Sequence, residues 1–343
     1  MRIAIVNDVI MALEAVRRVV VGSSGHQLAW VALNGEEAVA RCATDVPDLI
    51  LMDLIMPRVD GVEATRRIMA STPCAIVVVT ASVEDNSSKV FEAMGAGALD
   101  AVNTPVLEQP GAPDGAGALL AKIETIRRLI GAPPPRPAAV PALSAPAPAQ
   151  EGPLVVIGAS AGGPAALAKI LSQLPQDFPA PIVIIQHVDT QFARGLGEWL
   201  GHQTKLKVRV ASENDRPQPG TVLLAGTEQH LVLSGNGRLT YTPDPIDCPY
   251  RPSIDVFLKS VDEHWRGDIT AALLTGMGRD GAEGLRLLRD HGHHTIAQDR
   301  LSSAVYGMPK AAADMGAAVE ILPLEEIGLQ LGKLLAPRIH VHG

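Results

Sequence analysis

Ser160, His187 and Asp280 are the residues whose types and spacing could do covalent chemistry. Each follows a short apolar run: Leu154–Gly158 leads into Ser160, Pro181–Gln186 ends at His187, and Ile269–Thr275 leads into Gly276-Met277-Gly278-Arg279-Asp280-Gly281. A hydroxyl is a poor nucleophile at neutral pH until an imidazole accepts its proton. A carboxylate then fixes the imidazole tautomer and steadies the imidazolium. Glycines on either side of Met277 and after Asp280 let backbone N–H groups turn toward an oxyanion. The chain order Ser, His, Asp differs from the Ser, acid, His order of α/β-hydrolases, so descent from that fold is not implied.

Ser160 itself lies in Gly158-Ala159-Ser160-Ala161-Gly162, a G-x-S-x-G turn between a strand and a helix at Pro164–Leu171. Such a turn holds a serine clear of the sheet edge. It can equally cradle a phosphate on the helix N-terminus, or be only a tight turn. The Lys-Ser/Thr of a P-loop does not follow it, and no acid stands at the spacing a dinucleotide fold uses. A lone His after a strand or an Asp in a glycine-rich turn also has ordinary structural uses, as a hydrogen-bonded turn residue or a cap. It is the three together, after three strands, that favour acyl transfer. His291, His293 and His294 in HGHH lack an acid or Cys partner nearby and read as solvated turn residues.

A second constellation is acidic. Asn7-Asp8 follows the run Ile3–Val6, Asp53 ends Leu49–Met52, and Thr80 ends Ala75–Val79. Two carboxylates at one sheet edge repel unless a cation lies between them, and oxygen ligands of this kind suit Mg²⁺. The competing reading is that these residues only cap the helices that follow.

The elements that must position these groups are legible as alternating runs. Further strands are expected at Leu28–Ala32 and Leu99–Val102, with helices around Ala12–Val21, Glu36–Ala43, Gly61–Ala70, Ser87–Met94 and Leu119–Ile130. Successive β/α units of this kind imply a doubly wound parallel sheet whose strand C-termini share one edge. Residues 108–117, EQPGAPDGAG, read as an exposed loop. Ala132–Pro153, rich in Pro and Ala, reads as a semi-rigid linker. The expected organisation is a first domain at 1–130, a linker at 131–153 and a second α/β domain at 154–343.

The totals agree with two soluble domains: 343 residues exceed one ordinary core. A formal charge of -8 argues against nucleic acid as a partner, and no apolar run is long enough to insert into a membrane. Three well-separated cysteines indicate neither a disulfide framework nor a metal site. With no secretory signal at the start, the expected location is cytoplasmic.

Two families resemble the two halves. Leu51-Met52-Asp53-Leu54-Ile55-Met56-Pro57 with Asp60-Gly61 is similar to the phosphoacceptor loop of response-regulator receiver domains, and Phe91–Ala96 is similar to their fourth helix. The resemblance implies a flavodoxin-like (βα)5 receiver in which Asp53 takes a phosphoryl group from a CheA-type histidine kinase. It implies Mg²⁺ held by Asp8, Asp53 and the Ile55 carbonyl, with Thr80 sensing the phosphate. Three positions depart from that pattern: Asn7 where an acid is usual, Thr104 where a lysine is usual, and Ala101 at the usual aromatic position. The missing lysine weakens charge neutralisation at the acyl phosphate.

GASAGG, Gln186-His187, RPSIDVFL at Arg251–Leu258, LLTGMGRDG at Leu273–Gly281 and SSAVYGMPKAA at Ser302–Ala312 together resemble the chemotaxis-type protein-glutamate methylesterases, the CheB family. This implies a doubly wound α/β methylesterase domain with a mainly parallel sheet and Ser160, His187 and Asp280 as its triad. The Met277 backbone N–H would serve the oxyanion hole, and no metal would take part in the hydrolysis. Ala161 stands where many relatives have Thr. The substrate implied is a methyl-accepting chemoreceptor-like protein, demethylated at glutamate γ-methyl esters and deamidated at equivalent glutamines, with the receiver covering the site until phosphorylated. Val6–Val19 and Ala98–Pro105 resemble the Wsp-type branch most, which implies surface-associated signalling through a diguanylate cyclase. The competing reading is a non-catalytic regulator that binds a receptor or kinase.

Overall fold

The computed structural model describes residues 1–83, 85–105, 115–131 and 152–335. The chain divides into two compact units, Met1–Ala138 and Ala139–Gly343. The linker expected from composition lies, apart from Gly152 and Pro153, outside the described residues.

The first unit runs β1 (Arg2–Val6), α1 (Ile10–Gly22), β2 (Gln27–Ala32), α2 (Gly35–Thr44), β3 (Leu49–Met52), α3 (Gly61–Ser71), β4 (Ala75–Thr80), α4 (Ser87–Gly95), β5 (Asp100–Asn103) and α5 (Gly115–Gly131). Its strands form one parallel sheet in the order β2-β1-β3-β4-β5. Strands β3 and β4 are buried throughout, as a sheet covered on both faces requires. Ile3, Ile5, Leu49, Leu51, Val77 and Val79 pack with Leu119, Ile123 and Ile126 of α5 in one core. That packing overrides the helix-weakening effect of Gly115 and Gly117, so α5 begins inside the stretch expected to be a loop. Positions 108–114 of that stretch lie outside the described residues. Asn34 and Asp60 cap α2 and α3, accepting from the Glu37 and Glu63 amides.

The second unit runs β6 (Leu154–Ala159), α6 (Gly163–Ser172), β7 (Ile182–Gln186), α7 (Thr190–Gln203), β8 (Lys207–Val210), β9 (Thr221–Leu224), β10 (His230–Leu233), β11 (Leu239–Thr242), α8 (Ile254–His264), β12 (Ile269–Leu273), α9 (Ala282–Asp290), β13 (His294–Gln298), α10 (Met308–Asp314), β14 (Glu320–Leu322) and α11 (Leu324–Leu335). Seven strands form a wholly parallel sheet in the order β14-β13-β12-β6-β7-β9-β8, and β10 and β11 pair antiparallel beside it. The chain starts at β6, winds toward β7 and then returns to β12 on the other side. The crevice at β12, β6 and β7 is therefore the topological switch point, where open α/β sheets bind their ligands. β12 ends at Leu273, short of the expected Thr275. Beyond it the Leu274 amide still reaches Gly158, while the Thr275 amide turns to the Gln298 side chain. Among the described residues no helix is long and apolar enough to cross a membrane.

Candidate functional site

In the second unit the register does the first part of the positioning. Ala159 pairs with Gln186 across β6 and β7, so Ser160 and His187 are the next residues on neighbouring strands. The His187 amide donates to the Ala159 carbonyl at 3.0 Å, and the Ser160 amide donates to Thr275 at 3.0 Å, drawing in the turn after β12. Thr275 completes the clamp: its hydroxyl donates to the Ala161 carbonyl at 2.8 Å and accepts from the Val305 amide. Gln186 lies beneath the turn, its amide donating to the Ser160 carbonyl at 2.9 Å. A Cβ at Gly163 would lie 2.0 Å from the Gln186 oxygen, which is why the helix opens on glycine there.

His187 Nε2 and Asp280 Oδ2 are 2.8 Å apart. The His187 side chain keeps 15% of its surface exposed and Asp280 only 2%, so the base is reachable while the acid is dry. Burial alone would raise the Asp280 carboxyl. Hydrogen bonds from His187, the Ile254 amide and Ser253, together with the His187 charge, outweigh it and hold the group below the usual carboxylate range. Those donors come from the first turn of α8: Ser253 Oγ at 2.7 Å, Ile254 N at 2.7 Å and Asp255 N at 3.1 Å. The helix N-terminus thus receives the carboxylate.

Behind this turn, buried His230 accepts from the Ser253 amide through Nδ1 at 3.1 Å, with Nε2 at 3.3 Å from the Pro245 carbonyl. Burial lowers the His230 pKa, favouring the neutral ring that this pattern needs. Asp255 is the counterpart on the other side of Asp280. Burial, and then the Asp280 charge, push it up to about 7, and it accepts from the Gly284 amide at 2.7 Å.

The turn carrying Met277 lies against the nucleophile. A Cβ at Gly276 would fall 2.7 Å from Ser160 Cβ, and Gly278 takes a positive φ of 85°. Gly276 and its neighbours use their other groups internally: Gly276 N donates to Val305, and Gly276 O accepts from Gly307 and Met308. Among the described residues the Met277 amide makes no backbone hydrogen bond.

Ser253, Tyr250, Thr275 and His230 were not singled out from sequence. A Ser before an apolar helical run is a readable cap signal, and Ser253 does accept from the Val256 amide. Its second bond, to Asp280, is made only by the fold. The HGHH histidines correct their expectation. His291 is exposed and bonds Asp262 at 2.7 Å, but half-buried His293 accepts from the Ile269 amide, and His294 opens β13 opposite Glu320.

In the first unit Asp8, Asp53 and Thr80 follow or end β1, β3 and β4, three adjacent strands. Burial, opposed in part by the Leu54 and Ile55 amides and reinforced by the charge of Asp8, pushes Asp53 up to about 6. Asp8 Oδ1 is buried without a hydrogen-bond partner among the described residues. An unpartnered carboxylate oxygen near a second buried carboxylate is chemistry that suits a hard divalent cation. Gly61 backs this loop, since a Cβ there would lie 2.0 Å from the Asp53 carbonyl. The hydroxyl of buried Thr80 accepts from the Asn86 side-chain Nδ2 at 3.2 Å, and the Thr104 backbone amide donates to the Thr80 carbonyl at 2.8 Å. Asn7 accepts from the Val9 amide at 2.8 Å, using its oxygen to cap the loop.

The fold and the site define a two-unit α/β protein with Ser, His and Asp on three adjacent parallel strands of one unit and paired carboxylates at the sheet edge of the other. The CheB methylesterase family model matches residues 155–331, and the response regulator receiver domain model matches residues 3–109. The chain is 58% identical over 335 residues to protein-glutamate methylesterase/protein-glutamine glutaminase 2 of Cupriavidus metallidurans, covering 96% of this chain and 97% of that one. It is 58% identical over 339 residues to the Pseudomonas putida protein-glutamate methylesterase/protein-glutamine glutaminase of group 3 operon, covering 98% and 100%. The crystal structure of the Thermotoga maritima CheB methylesterase catalytic domain superposes with a TM-score of 0.51 at 36% identity, covering 54% of this chain and 99% of that one. The chain belongs to the CheB-type protein-glutamate methylesterase family.

Proposed function

We propose that this protein hydrolyses glutamate γ-methyl esters, and deamidates glutamines, on a methyl-accepting chemoreceptor-like protein in the cytoplasm. The observation that carries the reading is the His187–Asp280 pair at 2.8 Å beside Ser160, next in register on the adjacent strand. Ser160 Oγ attacks the ester carbonyl while His187 accepts its proton. Because Nε2 is held by Asp280, Nδ1 is the nitrogen that takes this proton and returns it to the leaving methoxide, released as methanol, or to the departing amide nitrogen of a glutamine, released as ammonia. The Met277 N–H receives the oxyanion, and water, activated by the same imidazole, then cleaves the glutamyl-Ser160 ester.

Control is assigned to the receiver at 1–130, joined through 131–153 to the catalytic domain at 154–343. Asp53 takes a phosphoryl group from a CheA-type histidine kinase, and Thr80 reads it by hydrogen bonding. Asp8, Asp53 and the Ile55 carbonyl would hold Mg²⁺, which would supply positive charge to the phosphoryl group. With Thr104 in place of the usual lysine, charge neutralisation would fall to that cation. Phosphorylation of the receiver raises esterase activity. The resemblance of Val6–Val19 and Ala98–Pro105 supports the Wsp-type branch and a surface-signalling output. The experiment is release of methanol and ammonia from a methylated, glutamine-bearing chemoreceptor fragment: release by the wild type and none by Ser160→Ala is expected, and equal release by both overturns the reading.

A further inference from the structure

His187 makes one strong directional contact, through Nε2 to Asp280. A single hydrogen bond leaves the ring free to tilt, because the torsion that sets an imidazole plane has a broad minimum. The ring is nevertheless sandwiched on one face. Tyr250 stacks on it with centroids 5.0 Å apart and planes only 9° from parallel. At that separation parallel rings are offset, the favourable arrangement for aromatic pairs.

Tyr250 is itself fixed at its far end. Its hydroxyl lies against the turn after β12, where a Cβ at Gly278 would fall 2.3 Å from the oxygen. Glycine at 278 therefore makes the room the phenol tip occupies. The turn 276–280 thus contacts Ser160 through Gly276, holds the imidazole edge through Asp280, and packs against Tyr250 through Gly278.

We infer that Tyr250 is a positioning residue for the esterase reaction, setting the plane of the His187 imidazole and lying under the positive charge that this ring gains when it takes the Ser160 proton. The inference rests on the proposed esterase reading. A cation centred about 5 Å from a phenol ring lies within the roughly 6 Å over which an aromatic face attracts it. That attraction exists only once the proton has moved, so it lowers the barrier rather than tightening substrate binding.

The test uses the full chain and the variants Tyr250→Phe and Tyr250→Leu, with histidine side chains labelled for NMR. The His187 ring protons are expected to carry an upfield ring-current shift in the wild type and in Tyr250→Phe, and to lose it in Tyr250→Leu. With methylated chemoreceptor fragment as substrate, Tyr250→Leu should lose about 10–100-fold in kcat with KM changed by less than about twofold. Tyr250→Phe, which keeps the face and loses the hydroxyl, should restore kcat to within about fivefold of wild type. Absence of the ring-current shift in the wild type, wild-type kcat in Tyr250→Leu, or an equal loss of kcat in Phe and Leu would each overturn it. Failure of the wild type to release methanol would instead overturn the esterase reading, while the NMR shift still reports the stack.

Discussion

Ser253 Oγ donates to Asp280 Oδ1 at 2.7 Å while accepting from the Val256 amide at 3.3 Å, so one hydroxyl caps α8 and holds the carboxylate that pairs with His187. Removing it leaves a buried charged acceptor short of a donor and a helix short of a cap. Ser253→Ala should lower stability by about 1–3 kcal/mol and reduce kcat more than KM. Thermal unfolding and steady-state kinetics measure both. An unchanged melting temperature with unchanged kcat would show that neither bond matters.

Gly276 is the tightest point between the oxyanion turn and the nucleophile. A methyl there would meet Met308 Sδ at 2.4 Å and Ser160 Cβ at 2.7 Å. The methionine tip can swing away, whereas the serine is tied through its amide to Thr275. Gly276→Ala should therefore cost at least about 100-fold in kcat/KM while the chain stays folded. Wild-type turnover in a folded Gly276→Ala protein would contradict the placement of the oxyanion hole.

In the proposed phosphotransfer Asp53 attacks phosphorus as the carboxylate, and burial, with the Asp8 charge, pushes its pKa up to about 6. At limiting Mg²⁺, phosphorylation by a small-molecule phosphodonor should fall as pH drops below about 6, and saturating Mg²⁺ should move the midpoint lower, since a bound cation favours the carboxylate. A stopped-flow pH series reads it. A rate flat between about pH 5 and pH 7 at limiting Mg²⁺ would contradict the account.

Asp255 is raised to about 7 in the fold and titrates near 3.9 when unfolded. The sign follows directly: folding is favoured by this group below about 3.9, and that advantage is lost as pH rises through 7. Asp255→Asn keeps an oxygen for the Gly284 amide and removes the charge facing Asp280. The variant should be more stable than wild type at pH 8, with the difference vanishing near pH 4. Denaturant titrations at the two pH values decide it.

The parts of the molecule legible in the sequence are those whose physics is local. Buried parallel strands such as Leu49–Met52 and Ile182–Gln186 are nearly continuous apolar runs, and the polar residue at or after the end of each run marks the sheet edge. His187, Asp8, Asp53 and Thr80 are read as candidates from such run ends, and Ser160 and Asp280 from the small-residue turns that follow them. Short strands such as Lys207–Val210, with its alternating exposure, carried too little signal. Tyr250, Ser253 and His230 reach the site only because α8 and the β10–β11 hairpin fold against the β12 turn. Nothing in the spacing of residues 230, 250, 253 and 280 announces that they meet.

The central claim, covalent catalysis by Ser160, is tested most directly by trapping the intermediate. Acid quench of the phosphodonor-treated protein mixed with methylated chemoreceptor fragment, followed by mass spectrometry of the peptide containing Ser160, should reveal a glutamyl acyl ester on that serine, absent from Ser160→Ala. Methanol released at wild-type rate by Ser160→Ala, or an acyl group found on another residue, would contradict it.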